Sequence, residues 1–292
     1  MYAHKVIESL KNQRLSNNND YTQQYETIIN HINNSQKFHM GEVDTHMMLE
    51  SYTGKQLFND PSQVIVKFPY ETIWIDWQDN SDFQDVDYNK GTVYCKKFGA
   101  LIVTLNNKYY NILLFNRAPP MVGKVWLMTP VFFNLYYSEN VGNFVIRSGH
   151  LKSLSRFGKS AISIIEKESN REITTINLFI DLLNCKNIST IDNDPPLKLN
   201  KKRIKNGKQP LFTYKTLVIK PTNKRQNSIS KDIWDNRVHL CRGHFKEYTG
   251  ENPLFGKYTG RYWWQPSVRG NKSKGIIHKD YSIESGITPP IK

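Results

Sequence analysis

The sequence predicts an α+β protein, with a β-rich N-terminal domain and flanking helices followed by a basic C-terminal module made mainly of antiparallel strands. Runs of β-branched and aromatic residues, bounded by turn-forming residues, fill the middle of the chain and its last third. Segments with apolar residues at helical spacing lie before and after the central runs. The 292 residues include 38% hydrophobic and 12% aromatic side chains, which is enough to bury a core and excludes a disordered chain.

Residues 1–35 are polar and predict one amphipathic helix that packs on the body of the protein. Tyr21, Tyr25, Ile28 and Ile32 recur at helical spacing, and Asp20 is placed to cap the helix. The segment 37–61 that follows is mixed in composition and rich in loop-forming residues.

Strands are predicted from residue 64 onward. The runs at 100–105 and 109–115 flank Asn106, Asn107 and Lys108, which is a hairpin signal because asparagine tolerates the left-handed turn conformation. The predicted strands are 64–68, 72–77, 91–94, 100–105, 109–115 and 124–128, with further strand within 131–145.

Two helices are predicted next, at 160–169 and 174–184. The second places Ile176, Phe179, Ile180 and Leu183 on one face. The prolines within 192–196 then break the chain, and we place a boundary there between a domain of residues 1–195 and a module of residues 196–292.

The charge balance changes at the same boundary. Residues 1–195 carry 19 Lys and Arg against 20 Asp and Glu, whereas residues 196–292 carry 21 against 6. All of the net charge of +14 therefore lies in the last third of the chain. Such asymmetry favours a polyanionic partner, bound in a salt-sensitive way, over a merely soluble basic surface.

The C-terminal module is predicted to contain strands joined by basic loops. The strands are 213–219, 237–248, 260–265 and 275–283. The first basic loop precedes residue 213 and packs five cations into eight residues, a composition that suits phosphate oxygens but also suits a solvated loop. These cations are Lys201, Lys202, Arg203, Lys205 and Lys208.

The predicted strand 237–248 carries the residues with the richest chemistry. Strand alternation places Arg242, His244, Lys246 and Tyr248 on one face. Such a row binds phosphate, and because histidine titrates near neutrality it also permits acid–base chemistry. A metal-independent nuclease with these four residues as its catalytic groups is therefore an alternative to plain binding.

Aromatic residues accompany the cations further along the module. Trp263 and Trp264 lie on opposite faces of a predicted strand, so either one of them stacks on a base while the other is core, or both are core. The cations predicted to contact phosphate here are Lys257, Arg261 and Arg269, in addition to Arg242 and Lys246.

Several classes of site are not indicated. The cysteines at 95, 185 and 241 are odd in number and widely spaced, so we do not expect a disulfide framework or a zinc site. We expect a cytoplasmic setting instead. No nucleotide-binding, hydrolase or zinc-protease motif is present, and we expect no cofactor and no metal. The acidic residues between Asp76 and Asp87 predict a solvated loop rather than a calcium site. No apolar run is long enough to predict a membrane span.

The C-terminal pattern resembles a group of bacteriophage and mobile-element proteins. The resemblance is carried by Asn-Lys-Lys-Arg from residue 200, Arg-Gly-His-Phe-Lys from residue 242, Pro-Leu-Phe-Gly from residue 253 and Trp-Trp at 263–264, and it covers about residues 195–283. It implies a phage-encoded protein in the host cytoplasm and no particular activity. We therefore expect a nucleic-acid-binding protein; the alternatives are a nuclease, or a module that binds an acidic protein as a host inhibitor or virion component.

Overall fold

The structure is a computed structural model of the 292-residue chain. It describes residues 1–16, 22–43, 70–80, 86–87, 92–93, 96–106, 109–117, 125–140, 143–150, 165–166, 169–220, 237–241, 244–264, 267–269 and 271–276. The predicted strand 64–68 and most of the predicted helix 160–169 lie outside these residues.

An eight-stranded mixed sheet forms the centre of the protein, in the order β8-β7-β6-β5-β2-β1-β10-β9. β1 is parallel to both β2 and β10, and the other neighbours are antiparallel. Its strands are β1 (Gln36–Val43), β2 (Thr72–Asp79), β5 (Lys97–Asn106), β6 (Tyr109–Arg117), β7 (Trp126–Ser138), β8 (Asn143–His150), β9 (Ile188–Asn193) and β10 (Tyr214–Ile219). The α+β class is therefore confirmed, as is the β5–β6 hairpin.

Helices cover both faces of this sheet. One face packs against α1 (Ala3–Ser16) and α2 (Thr22–Asn34), which bury Val6, Ile7, Leu10 and Ile32 completely against the sheet. The other face packs against α3 (Asn170–Leu183) through Ile173, Ile176, Phe179 and Ile180. The helix predicted at 174–184 is thus confirmed with its apolar face, whereas the one helix predicted within residues 1–35 is two.

Close packing on the first face depends on a glycine in β5. Gly99 lies directly opposite Asp76 on β2, and a Cβ built on it would meet Cζ2 of the Trp74 indole at 2.6 Å. The indole therefore fills the space above the glycine, and it also packs against Phe115 at a ring-centroid distance of 5.3 Å. A larger residue at position 99 would therefore force the indole or the backbone to shift.

The chain on the C-terminal side of residue 195 contributes directly to the central sheet. β10 pairs in parallel with β1 and antiparallel with β9, so it is an interior strand. Its first residue, Tyr214, is 1% exposed and belongs to the core beneath α1. The predicted boundary at residue 195 therefore does not coincide with an edge of the sheet, although the division into two domains remains a prediction.

Shorter strands make up the rest of the described chain. β11 (Arg237–Cys241) pairs with β14 (Ser267–Arg269) and β15 (Asn271–Ile276), and β12 (His244–Tyr248) pairs antiparallel with β13 (Gly260–Trp264). β3 (Val86–Asp87) and β4 (Thr92–Val93) form a further small pair.

Three further predicted elements differ from the structure. The predicted single strand 237–248 is two strands, because β11 and β12 pair with different partners. The basic segment predicted as a loop contains the helix α4 (Leu197–Lys205). The loop-rich segment 37–61 begins with most of β1. Among the described residues, no helix is long and apolar enough to cross a bilayer.

Candidate nucleic-acid interface

α4 carries most of the first predicted group of cations. Leucine, lysine and arginine are good helix formers, and Pro196 immediately before Leu197 suits a helix start. Cations in the last turn of α4 also stabilise the negative end of the helix dipole. The helix therefore forms from the same residues whose charge suggested a solvated loop.

None of the residues of α4 is buried. Leu197 is 79% exposed and Ile204 is 61% exposed, and they lie on the same side of the helix, seven residues apart. A nine-residue helix with no buried side chain gains little from the hydrophobic effect and is marginal in isolation. The neighbouring chain must therefore hold it in place.

Polar contacts with α1 and with the segment after α4 hold the helix. Arg203 donates to the Glu8 carboxylate at 2.7 Å and to the carbonyl of Gln209 at 2.8 Å. The Asn200 side chain exchanges two hydrogen bonds with the backbone of Leu211, at 2.9 and 2.7 Å. The predicted phosphate ligand Arg203 is thus engaged within the protein, and it fixes the orientation of α4.

The other four cations of the predicted group are exposed. They form no hydrogen bond or ion pair with the part of the chain that the structure describes. Lys198, on the same helix, is exposed as well. The four predicted residues that remain available to a ligand are Lys201, Lys202, Lys205 and Lys208.

The β12–β13 hairpin holds the second predicted group. Its register places Phe245 opposite Trp263 and Glu247 opposite Arg261, while Lys246 lies opposite Tyr262. Alternation therefore separates a face with Arg261 and Trp263 from one with Lys246 and Tyr262.

The Arg261 face of the hairpin packs on the end of α3. The guanidinium lies 2.8 Å from Asp181 and 3.3 Å from Glu247, and it is only 13% exposed. The Asn187 side chain donates to the carbonyl of Trp263 and accepts from its backbone N–H, at 2.8 and 3.0 Å. Arg261 is thus a structural anchor of the hairpin, and its charge is matched inside the protein.

The opposite face of the hairpin carries the remaining described candidates. Lys246 is exposed, with its ammonium 4.9 Å from the centroid of the Tyr248 ring, so these two predicted residues do lie together. Trp264 is half-buried, and its indole N–H is buried without a hydrogen-bond partner among the described residues. Trp263, on the Arg261 face, is also half-buried and packs on Phe245 at a ring-centroid distance of 4.6 Å.

Other candidates are placed only in part. Lys257 is exposed beside Tyr258, with its ammonium 5.5 Å from the ring. Arg242, with the side chains of His244 and Arg269, lies outside the described residues. The geometry of the predicted catalytic row is therefore described only for Lys246 and Tyr248.

A buried polar cluster beneath α1 was not anticipated from the sequence. Asp76 is 0% exposed, and its carboxylate accepts hydrogen bonds from the Tyr2 backbone N–H, the Trp74 indole and the Tyr214 hydroxyl, at 2.5, 3.0 and 2.8 Å. His39 Nδ1 lies 2.5 Å from its other oxygen. Asp76 is thus a strand residue inside the core, and the expected solvated acidic loop is wrong at this position.

These donors determine the protonation of the cluster. Burial alone would raise the pKa of Asp76, but the hydrogen bond from His39 and the nearby charge of the N-terminal ammonium hold it below its ordinary value. Burial, together with the Asp76 charge, holds the pKa of Tyr214 well above its ordinary value. The tyrosine hydroxyl therefore stays protonated as a donor, and Asp76 stays ionised as its acceptor.

The sequence of the chain could not have revealed this cluster by spacing. Its members come from the residue before α1 and from β1, β2 and β10, and Tyr2 and Tyr214 are joined only by the fold. Comparisons of the chain with protein-family models, with curated proteins and with solved structures found no match.

Proposed function

We propose that the protein binds nucleic acid through the exposed lysines of α4 and the residue that follows it. The observation that carries the proposal is a helix with no buried residue, held by Arg203 and Asn200, whose exposed lysines have no ion-pair partner among the described residues. Phosphate oxygens are the ligands that such a row of mobile ammonium groups binds best. We further propose that the protein acts in the cytoplasm of a phage-infected cell.

The proposed surface includes Lys246 and Lys257 and leaves out two predicted ligands. Arg203 and Arg261 are each held by carboxylates of the protein itself, so a phosphate would have to replace an existing ion pair. Trp264 is the better candidate for base stacking, because it lies on the same face of the hairpin as Lys246, whereas Trp263 packs on Phe245 on the Arg261 face.

The test is fluorescence anisotropy with labelled single- and double-stranded DNA and RNA over a salt series. The variant Lys201→Gln/Lys202→Gln/Lys205→Gln removes three exposed charges and keeps good helix formers. Its matched control removes three exposed cations from residues 1–195, Lys96, Arg147 and Lys186, in the same way.

If each lysine neutralises one phosphate of a duplex, the variant lowers the slope of log affinity against log salt by about 3, and the control leaves it unchanged. An equal decrease of this slope in both variants would mean that the net charge of the protein, and not α4, drives binding. Absence of salt-dependent binding in the natural chain would reject the proposal.

The same samples, analysed on a denaturing gel, address the nuclease alternative. Shortened probe that persists in the α4 variant but disappears in His244→Ala would support catalysis by the predicted row of Arg242, His244, Lys246 and Tyr248. If the probe stays intact with the natural chain and with every variant, the nuclease alternative is rejected and nucleic-acid binding without cleavage remains.

Binding of an acidic protein is a second candidate, favoured by the apolar side chains that α4 exposes. Leu197 and Ile204 gain nothing from phosphate, yet they would be buried by a protein partner. The variant Leu197→Ser/Ile204→Ser distinguishes nucleic-acid binding from protein binding by α4. We expect it to leave nucleic-acid affinity unchanged and to abolish capture of an acidic protein partner. Loss of nucleic-acid affinity in this variant, with α4 still folded, would contradict the separation.

A further inference from the structure

Two cations face each other on adjacent strands at the edge of the α1-facing core. Phe98 on β5 pairs with Asn116 on β6, so the next position along places Lys97 opposite Arg117. Phe115 packs in the α1-facing core, and alternation puts Arg117, two residues further on, on the same face. Like charges placed directly opposite each other in a sheet are destabilising unless something neutralises them.

α1 adds a third cation to this pair. The ammonium groups of Lys5 and Lys97 lie 5.9 and 5.6 Å from the centroid of the same ring, that of Tyr2. Burial lowers the pKa of Lys5, and the charges of Lys97 and Arg117 lower it further. Within the described residues, none of these three cations makes a hydrogen bond or an ion pair.

The buried carboxylate nearby does not serve as their counter-charge. Asp76 already accepts hydrogen bonds from Tyr2, Trp74 and Tyr214, and it lies 3.8 Å from the N-terminal ammonium. It also holds His39 through Nδ1.

His39 adds a polar group at the same place. Its ring packs edge-on against Tyr2 at 6.1 Å, and its side chain is 23% exposed. Its Nε2 has no hydrogen-bond partner among the described residues. The surroundings of Tyr2 therefore combine one imidazole nitrogen with three cations, and the only carboxylate that acts to raise the pKa of Lys5 is that of Glu8.

We propose that Lys5, Lys97, Arg117 and His39 bind a phosphoryl group, either as free phosphate or as the terminal phosphate of a nucleotide or oligonucleotide. A phosphate dianion supplies negative charge to these cations, since the nearby Glu8 carboxylate is already held by Arg203 at 2.7 Å, and the planar arginine fork matches two of its oxygens. The lysines contribute as point charges from two different elements, which suits a tetrahedral ligand. This site shares no residue with the α4 surface and does not depend on nucleic-acid binding there.

The test titrates the full chain with inorganic phosphate at constant ionic strength, followed by 31P nuclear magnetic resonance and by thermal unfolding. The variants are Lys97→Gln and Lys5→Gln, and the control is Lys11→Gln, an exposed lysine on the same helix as Lys5. Circular dichroism confirms that each variant is folded.

We expect saturable binding by the natural chain, a dissociation constant raised about tenfold or more in each site variant, and no change in the control. Without phosphate, Lys97→Gln melts at the same temperature as the natural chain or higher, because it relieves repulsion; with phosphate, only the natural chain and the control gain stability. Equal phosphate stabilisation of all four proteins, or no saturable binding by the natural chain, would overturn the proposal.

Two further arms distinguish the source of the phosphate. A terminal phosphate is the ligand if a 5′-phosphorylated oligonucleotide binds more tightly than its 5′-hydroxyl form. This preference should disappear in Lys97→Gln and remain in the α4 triple variant. Equal affinity for the two oligonucleotides, together with binding of inorganic phosphate, supports free phosphate at the same site.

Discussion

Replacement of Tyr214 by phenylalanine tests the link between β10 and the core beneath α1. The hydroxyl is buried, donates to Asp76 at 2.8 Å and accepts from the backbone N–H of Ala3 at 2.8 Å. Phenylalanine keeps the ring and its packing but removes both hydrogen bonds. It leaves Asp76 with one donor fewer and Ala3 with a buried donor that has lost its acceptor.

The expected cost follows from these two bonds. Loss of a hydrogen bond to a buried charge costs about 1.5–3 kcal/mol, and a buried N–H left without a partner adds roughly 1 kcal/mol or more. We therefore expect the free energy of unfolding to fall by about 3 kcal/mol. For a chain of this length, whose unfolding entropy is roughly 0.6 kcal/mol/K, this lowers the melting temperature by about 5 °C.

The assay is urea unfolding of the full chain, followed by far-ultraviolet circular dichroism and by tryptophan fluorescence. Tyr258→Phe is the matched control, because Tyr258 is 49% exposed and its change should cost less than about 0.5 kcal/mol. If Tyr214→Phe costs no more than this control, the hydroxyl does not hold Asp76, and the reasoning about the buried cluster fails.

Three further predictions concern other parts of the core. Gly99→Ala should cost about 1–3 kcal/mol, because the new methyl group would meet the Trp74 indole at 2.6 Å, whereas Gly250→Ala, which meets nothing within 4 Å, should be near neutral in the same urea assay. Burial raises the pKa of the Cys185 thiol to about 12. In a variant whose other two cysteines are replaced by serine, this thiol should therefore resist a thiol reagent at pH 8 in the folded chain and react fully in urea. Rapid reaction without urea would contradict its burial. Because the folded pKa of Asp76 lies below its ordinary value of 3.8, its charge stabilises the fold above that pH and ceases to do so as the pH falls through the folded pKa. The stability gap between the natural chain and Asp76→Asn, measured by urea unfolding from pH 7 to pH 3, should therefore be widest near neutrality and shrink below about pH 4; a gap that widens in acid would refute this sign.

Elements with a local signal could be predicted from the sequence. α3 has four apolar residues at helical spacing, and the β5–β6 hairpin has two β-branched runs around an asparagine turn. In both cases neighbouring residues supply the periodicity and the turn, so no knowledge of distant contacts is needed.

Elements that are defined by distant partners could not be predicted from the sequence. β1 mixes Phe38 and Val43 with charged and polar residues, and it is a strand because β2 and β10 pair with it on either side. β11 and β12 looked like one strand because the run between them has no strong breaker other than Gly243, yet they pair with different partners.

The candidate site shows the same limit. α4 had a readable signal in its good helix formers, but the density of charge favoured a loop. The ion pairs of Arg203 with Glu8 and of Arg261 with Asp181 join residues 195 and 80 positions apart, so the sequence could not separate anchoring cations from available ones.

The parallel pairing of β1 with β10 has a consequence for synthesis. β1 ends at Val43, and the strand that completes its second edge begins at Tyr214. A ribosome that adds about 5–20 residues per second needs roughly 10–35 s to make the intervening chain. For that time the open edge of β1, with its unpaired backbone groups, is a template for pairing with other chains. A nascent chain stalled before residue 214 is therefore expected to aggregate or recruit a chaperone, whereas one released after Ile219 can close its sheet.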